Sequence, residues 1–274
     1  FSIGKSWEAA VPQATRMNVS WREIEALPPD IADHSISYGS DDLQFGELRL
    51  PETPGPYPVI VFIHGGCWLN QFSLDHVSAV SRALANQGYA VWTPEYRRVG
   101  DAGGGWPGTF EDIARCVAAL QGMAMRHALD LSRLIVMGHS AGGHLALWLA
   151  AQSNLLLRGV ISLAGICDLV DYERLDNDCA ASLPGLLGGT SLEVPERWAL
   201  ANPMELLPLN ARVSLIHGER DAIVPLAQSE NFAKAAGCEL QVIRGGGHFD
   251  LVSPHSSAFE VISRTVRRMV EGAK

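Results

Sequence analysis

The sequence predicts an α/β protein, a mostly parallel eight-stranded sheet with helices on both faces. Two observations predict it. Short apolar runs recur along the chain with helical segments between them, the pattern of parallel strands joined by crossover helices. The 274 residues, 47% hydrophobic and 19% charged, have the balance of a folded globular chain rather than a disordered, collagen-like or coiled-coil one.

In chain order, two alternating segments at 35–38 and 47–50 read as an antiparallel lead-in to the sheet. Six apolar runs follow as its main strands, at 59–63, 90–93, 134–137, 160–163, 213–216 and 240–243. Between them Ile113, Val117 and Leu120 recur at helical period behind the capping-box pattern Thr109-x-x-Asp112. A helical run occupies 143–151, and Ser257-x-x-Glu260 marks the start of a last helix ending near Val270. Right-handed crossovers put these helices on both faces.

Two regions break the alternation of strand and helix. Residues 1–33 form an N-terminal arm with Trp7, Trp21, Pro28 and Pro29 and no clear period. Residues 168–209 insert about 40 residues between two strands, too many for an ordinary loop, with a helix signal of their own at Thr190-x-x-Glu193. This insertion reads as a small cap within a single domain spanning 1–274. Caps over α/β sheets commonly shape a substrate pocket; a surface decoration is the plainer alternative.

Charge excludes several classes of partner. Lys plus Arg against Asp plus Glu leaves a net −9, spread along the chain, so neither nucleic acid nor an anionic membrane is expected as a partner. No apolar stretch reaches 18 residues; the longest, 145–166, is broken by Gln152, Ser153, Asn154 and Arg158. A soluble protein is expected, cytoplasmic by default, with secretion or a periplasmic location left open because the sequence starts at Phe1. The five cysteines, Cys67, Cys116, Cys167, Cys179 and Cys238, form no CxxC pair, which argues against a zinc site and for free thiols. Cys167 and Cys179 are near enough in sequence to bridge in an oxidising compartment.

The chemistry concentrates where runs end. Gly138-His139-Ser140-Ala141-Gly142 lies between the run at 134–137 and a helix, the context of a nucleophile elbow, in which flanking glycines permit a strained turn that lifts the serine Oγ above the sheet. A helix N-terminus beneath it favours developing negative charge. Serine is a weak nucleophile at neutral pH and needs a histidine base and an orienting acid, in chain order Ser, Asp or Glu, His for this architecture. Asp221 follows the run at 213–216, and His248, in Gly245-Gly246-Gly247-His248-Phe249-Asp250, follows the last run. Both stand past the C-terminal strand ends, where open α/β sheets assemble their sites. Asp250, adjacent to the base, is the competing acid, and Glu219 reads as structural or solvent-facing.

His64-Gly65-Gly66-Cys67-Trp68 follows the run at 59–63 and offers main-chain N–H groups for an oxyanion. Gly66 and Cys67, with Ala141 after the nucleophile, are the candidate donors, Cys67 through its amide rather than its thiol. Trp68, Trp106 and His139 are candidates for the substrate pocket, with plain packing the alternative for each. His144, His217 and His255 read as packed or exposed polar residues.

Taken together, His64 to Trp68, the serine elbow, Glu95-Tyr96-Arg97-Arg98, the Asp221 segment and His248-Phe249-Asp250 resemble the α/β-hydrolase superfamily. More narrowly they are similar to its HGGxW branch, related to hormone-sensitive-lipase-like carboxylesterases and to kynurenine formamidase (arylformamidase). The resemblance, over about residues 45–270, implies an α/β-hydrolase fold and a Ser140, Asp221, His248 triad. It also implies hydrolysis of a small-molecule ester or amide through an acyl-enzyme, without metal or organic cofactor. Where the lipase-like pattern has a third glycine this chain has Cys67, so ester and amide substrates both stay open. A carboxylesterase for small to medium acyl esters is the leading expectation, ahead of an arylformamidase-type amidase, an acyl-peptide hydrolase and, last, a non-catalytic binder on the hydrolase fold. A homodimer through edge strands or the last helix is compatible with the sequence.

Overall fold

A computed structural model describes residues 17–151 and 156–272; Trp7 and the polar residues 152–154 lie outside the described residues. The arm carries α1 (Trp21–Glu25) and leads into β1 (His34–Ser37) and β2 (Phe45–Arg49). The alternating part follows as β3 (Tyr57–Ile63), α2 (Ser78–Ala85), β4 (Ala90–Pro94), α3 (Gly108–Ala118), α4 (Leu120–Met123), β5 (Leu129–His139), α5 (Ala141–Ala150) and β6 (Gly159–Leu163). The insertion forms α6 (Leu169–Tyr172), α7 (Asp178–Leu187) and α8 (Pro195–Ala201), and the chain closes with β7 (Val213–Gly218), α9 (Leu226–Ala236), β8 (Glu239–Ile243) and α10 (Ala258–Glu271).

All eight strands form one sheet in the order β1-β2-β4-β3-β5-β6-β7-β8. β2 runs against both its neighbours, and every pairing from β4 through β8 is parallel. This is the α/β-hydrolase arrangement that the motifs implied, with the antiparallel lead-in where the sequence places it. Alternation along the buried strands divides the core in two. Val59, Val61, Ile63 and Val136 face one layer with Trp92, Phe110 and Trp198, while Ile60, Phe62, Ile135 and Met137 face the other with Val80, Leu84 and Val266. Helix α5 is buried along its whole length, as an all-round apolar helix must be, and sits between the sheet and the insertion. None of the helices among the described residues is long and apolar enough to cross a membrane.

The helix-start signals divide. Thr190 and Glu193 do exchange backbone-to-side-chain hydrogen bonds, in the turn that leads into α8. At α3 the expected Thr109-x-x-Asp112 box is not formed. The Thr109 hydroxyl instead donates to the Arg97 carbonyl, and Asp112 is fully buried, accepting from the Arg97 side chain at 2.7 and 2.8 Å and from Gln44 at 2.6 Å. Buried carboxylates need such partners more than a helix end needs a cap, and Asp112 has gone to the stronger donors. Ser257 does stand at the start of α10, but its hydroxyl points to the Met17 sulfur rather than to the helix. The arm holds a capping box that its lack of period hid: Ser20 and Glu23 satisfy each other's backbone at α1.

The insertion does not stand apart from the core. Leu183, Leu186, Leu187 and Trp198 are buried in the same layer as Phe110 and Leu145. Asn177 caps α7 and left-handed Gly188 ends it, and Asp168 caps α6, so these two helices of the insertion carry start signals of their own.

Replacing Asp112 by Ala should lower the unfolding free energy by roughly 3 kcal/mol or more, because the Arg97 guanidinium is then left partly buried without its partner. Urea denaturation of the two proteins measures this.

Candidate active site

Ser140 occupies the first residue after β5 and immediately precedes α5, with φ 56° and ψ −120°. A positive φ on a serine is strained and is tolerated only where the surroundings enforce it. Here they do. A Cβ on Gly138 would overlap the Gly142 carbonyl, one on Gly142 would overlap the Ile63 carbonyl, and the Ser140 amide donates to the Leu163 carbonyl at 2.9 Å. The ends of β3, β5 and β6 thus press backbone against backbone around the serine and leave its side chain one direction to take.

The loop after β3 lies directly on this elbow. A Cβ on Gly65 would come 2.8 Å from the His139 carbonyl oxygen and 3.1 Å from the Ser140 Cβ. Gly66, Cys67 and Trp68 follow with φ 106°, 52° and 57°, three left-handed residues in succession. Glu95 holds the base of this loop: its carboxylate meets His64 Nε2 at 2.9 Å, accepts the Leu74 amide at 3.1 Å and pairs with Arg98 at 3.1 Å. Burial opposes the ionisation of Glu95, and His64 and Arg98 outweigh it, so its carboxyl sits below the usual range.

Asp221 and His248 arrive from the other side. His248 Nδ1 donates to Asp221 Oδ2 at 2.6 Å, and Asp221 Oδ1 accepts the amides of Ile223 and Val224 at 2.9 and 2.8 Å. His217 Nε2 adds a contact to Asp221 Oδ2 at 3.4 Å while donating to the Val224 carbonyl. Burial works against charge on Asp221, yet the hydrogen bonds from His217 and His248 prevail and hold its carboxyl far below the ordinary value. Asp250, the competing acid, does not touch the imidazole; it accepts the Gly247 amide at 2.7 Å and the Asn18 amide at 2.9 Å. Glu219 caps the glycine loop by accepting the Gly245 amide.

Ser140, His248, Gly66, Cys67 and His139 line one cavity of about 160 Å³ with Trp21, Phe72, His76, Cys179, Ile223 and Phe249. Two expected pocket residues are elsewhere. Trp68 is fully buried and donates its indole N–H to His144 at 3.2 Å, and Trp106 packs edge-on against Phe110. Both turn away from the cavity because the layer beneath has room for large rings. His139 does reach it: its ring lies 4.5 Å from that of His248, with Nε2 on the His248 carbonyl and Nδ1 buried without a hydrogen-bond partner among the described residues. Burial, reinforced by nearby His248, keeps His139 neutral well below the usual range. His76, half-buried in the wall, is pushed down to about 3 by desolvation and by His64. The aromatic lining comes from Trp21 on the arm and Phe72 in the loop after β3, neither in a motif, and from Phe249 next to His248.

The cysteines depart from expectation. Cys67 is bonded to Cys179 of α7, with Cα atoms 4.7 Å apart, while Cys116, Cys167 and Cys238 are free. Cys167 does not bridge to Cys179: it is buried on the Gly165 carbonyl, and Cys179 meets the loop after β3 instead. The Cys67 sulfur is thereby no thiol, and it ties the loop covalently to the insertion. Ser182 adds a hydrogen bond to the Cys67 carbonyl at 2.9 Å. Among the described residues no group of three or more His, Cys, Asp or Glu is placed to hold a metal ion.

A family profile for BD-FAE matches residues 47–236, from β2 to the end of α9. The chain belongs to the BD-FAE family. This BD-FAE member is 27% identical over 268 residues to the esterase LipC of Mycobacterium tuberculosis, covering 85% of this chain and 66% of that one. It is 28% identical over 279 residues to the kynurenine formamidase avaC of Aspergillus versicolor, covering 87% and 96%. Its fold is that of esterase B from Lactobacillus rhamnosis, with a TM-score of 0.75 at 21% identity over 91% of this chain and 90% of that one. The resemblance to the carboxylesterase and formamidase branch of the α/β-hydrolases therefore holds.

Two outcomes follow from this geometry. Asp221 is ionised in the fold at pH values where an ordinary carboxyl protonates, so it contributes stability that is complete above about pH 4 and is lost as pH falls further. Below about pH 4 the wild type should therefore lose unfolding free energy more steeply than Asp221→Asn, as read from urea midpoints at stepped pH. Alkylation of the denatured, unreduced protein should modify Cys116, Cys167 and Cys238 alone, and reduction should lower stability by roughly 2–5 kcal/mol.

Proposed function

We propose that this chain is a serine carboxylesterase for small to medium acyl esters, acting through an acyl-enzyme on Ser140. One observation carries the reading: a serine on a strained elbow shares an apolar cavity with a histidine whose Nδ1 is committed to a buried aspartate at 2.6 Å. With Nδ1 donating to Asp221, the lone pair of His248 lies on Nε2, the tautomer a general base requires. His248 takes the proton of Ser140 as Oγ bonds to the acyl carbon, and returns it to the leaving oxygen as that bond breaks. Water then attacks the acyl-enzyme, with His248 again taking its proton. The amides of Gly66, Cys67 and Ala141 are the proposed donors to the oxyanion, each worth about 3 to 4 kcal/mol when preorganised. Glu95 and the Cys67–Cys179 bond support that role by holding the loop at both ends. The same bond supports an oxidising compartment over the cytoplasmic expectation.

A second reading, an arylformamidase-type amidase, is favoured by the likeness to a kynurenine formamidase over almost its whole length. The cavity supports it too: about 160 Å³ walled by Trp21, Phe72 and Phe249 has room for one aromatic ring.

Ser140→Ala should lower turnover of p-nitrophenyl acetate by about 10⁶ and abolish labelling by a fluorophosphonate, with the thermal midpoint preserved. Retained turnover or labelling elsewhere would sink the site. Specificity constants for N-formylkynurenine and a short-chain ester, measured side by side, decide between the two readings.

A further inference from the structure

The cavity over Ser140 ends at an aromatic partition, and beyond it lies a second, solvent-open hollow lined by the apolar Ile24 and Leu27 together with the exposed Glu25, Gln71 and Asp75. The first, of about 160 Å³, and the second, of about 440 Å³, share Trp21, Phe72 and His76 as lining and are separated by those three side chains. Trp21 is the centre of the partition. Its ring meets Phe72 edge-on at 5.5 Å, His76 at 5.4 Å and Phe249 at 5.4 Å, so one side chain closes contacts with three others.

Trp21 does not belong to the sheet scaffold; it arrives on the N-terminal arm, and the arm is fastened beside the base. The Asp250 carboxylate, fully buried, accepts the amides of Asn18 at 2.9 Å and Val19 at 3.5 Å on the arm. It also accepts the Gly247 amide at 2.7 Å and the Ser256 hydroxyl at 2.9 Å on the His248 loop. Four donors use the whole acceptor capacity of one carboxylate. The Ser20 and Glu23 box then starts α1, and Ile24 anchors it in the core, which aims Trp21 at Phe72.

We propose that Trp21, positioned by Asp250, determines specificity by setting the largest ester substituent the site admits. The inference rests on the hydrolase reading above. With the partition intact the substituent has space for about six carbon atoms, since a cavity of ~150 Å³ takes up one benzene in another protein. Without it the two cavities join and a medium or long apolar chain has somewhere to go. The substituent belongs to either side of the scissile bond, and the shared chemistry is a compact apolar group.

Two ester series test this. In one, p-nitrophenyl esters lengthen from acetate to dodecanoate; in the other, acetate esters lengthen from methyl to octyl. In the wild type, kcat/KM should fall at least tenfold beyond about six carbons in one series, which identifies the side that enters the cavity. Trp21→Ala should raise the ratio of kcat/KM for the eight-carbon over the two-carbon member of that series at least tenfold. Trp21→Phe should keep the cut-off. Phe72→Ala, which opens the same partition from the scaffold side, serves if the arm variant does not fold, and should move the ratio in the same direction. A ratio unmoved in folded Trp21→Ala and Phe72→Ala, or a wild type with no cut-off in either series, overturns the proposal while leaving the esterase reading intact. A wild type that hydrolyses neither series and takes up no fluorophosphonate overturns both.

Discussion

The arrangement depends on one steric constraint, the contact of three strand ends around Ser140. Gly138 and Gly142 let carbonyls approach to a distance that any side chain would forbid, and the Ser140 amide is tied to the end of β6. Within that contact the serine has no relaxed conformation available and is held at φ 56°. The loop after β3 rests on the same contact through Gly65, so the position of the candidate oxyanion donors is set by the packing that strains Ser140. The arm and the insertion pack onto this centre from outside the sheet, the arm through Asp250 and the insertion through Cys179.

Charge is handled as strictly as volume. Asp221, Glu95, Asp112 and Asp250 are buried carboxylates, and each is surrounded by donors: two histidines and two amides for Asp221, a histidine, an arginine and amides for Glu95. The aromatic cavity itself holds neutral His139 and His76, which desolvation keeps from protonating. Neither of these two imidazoles therefore brings a positive charge to the wall beside Ser140 at neutral pH.

Much of this was legible in the residues because it is local. A strand, a glycine-flanked serine and an all-apolar helix are consecutive in sequence, so the elbow declares itself, and Asp221 and His248 stand at the ends of their own strands. What stayed hidden is set by residues far apart. Trp21 meets Phe72 and Phe249 only after the arm is fastened to Asp250, 232 positions from Asn18. Trp68 resembles a pocket residue in its motif, yet it is fully buried with its indole N–H on His144. The capping box at Thr109 failed for a related reason: a buried Asp112 answers to Arg97, and proximity in sequence says nothing of that demand. Cys67 and Cys179 are separated by 112 positions, beyond any spacing rule.

That separation gives the disulfide a meaning for the chain as a thread. Oxidised, the segment from 67 to 179 is a closed ring, and Ser140 lies inside it while Asp221 and His248 lie outside. An oxidised chain that has lost its fold keeps the loop of the candidate oxyanion donors and the helix of the insertion joined, with the serine on the same ring. The bond thus narrows the space the unfolded chain can explore between the loop after β3 and the insertion, while Asp221 and His248 return from outside the ring.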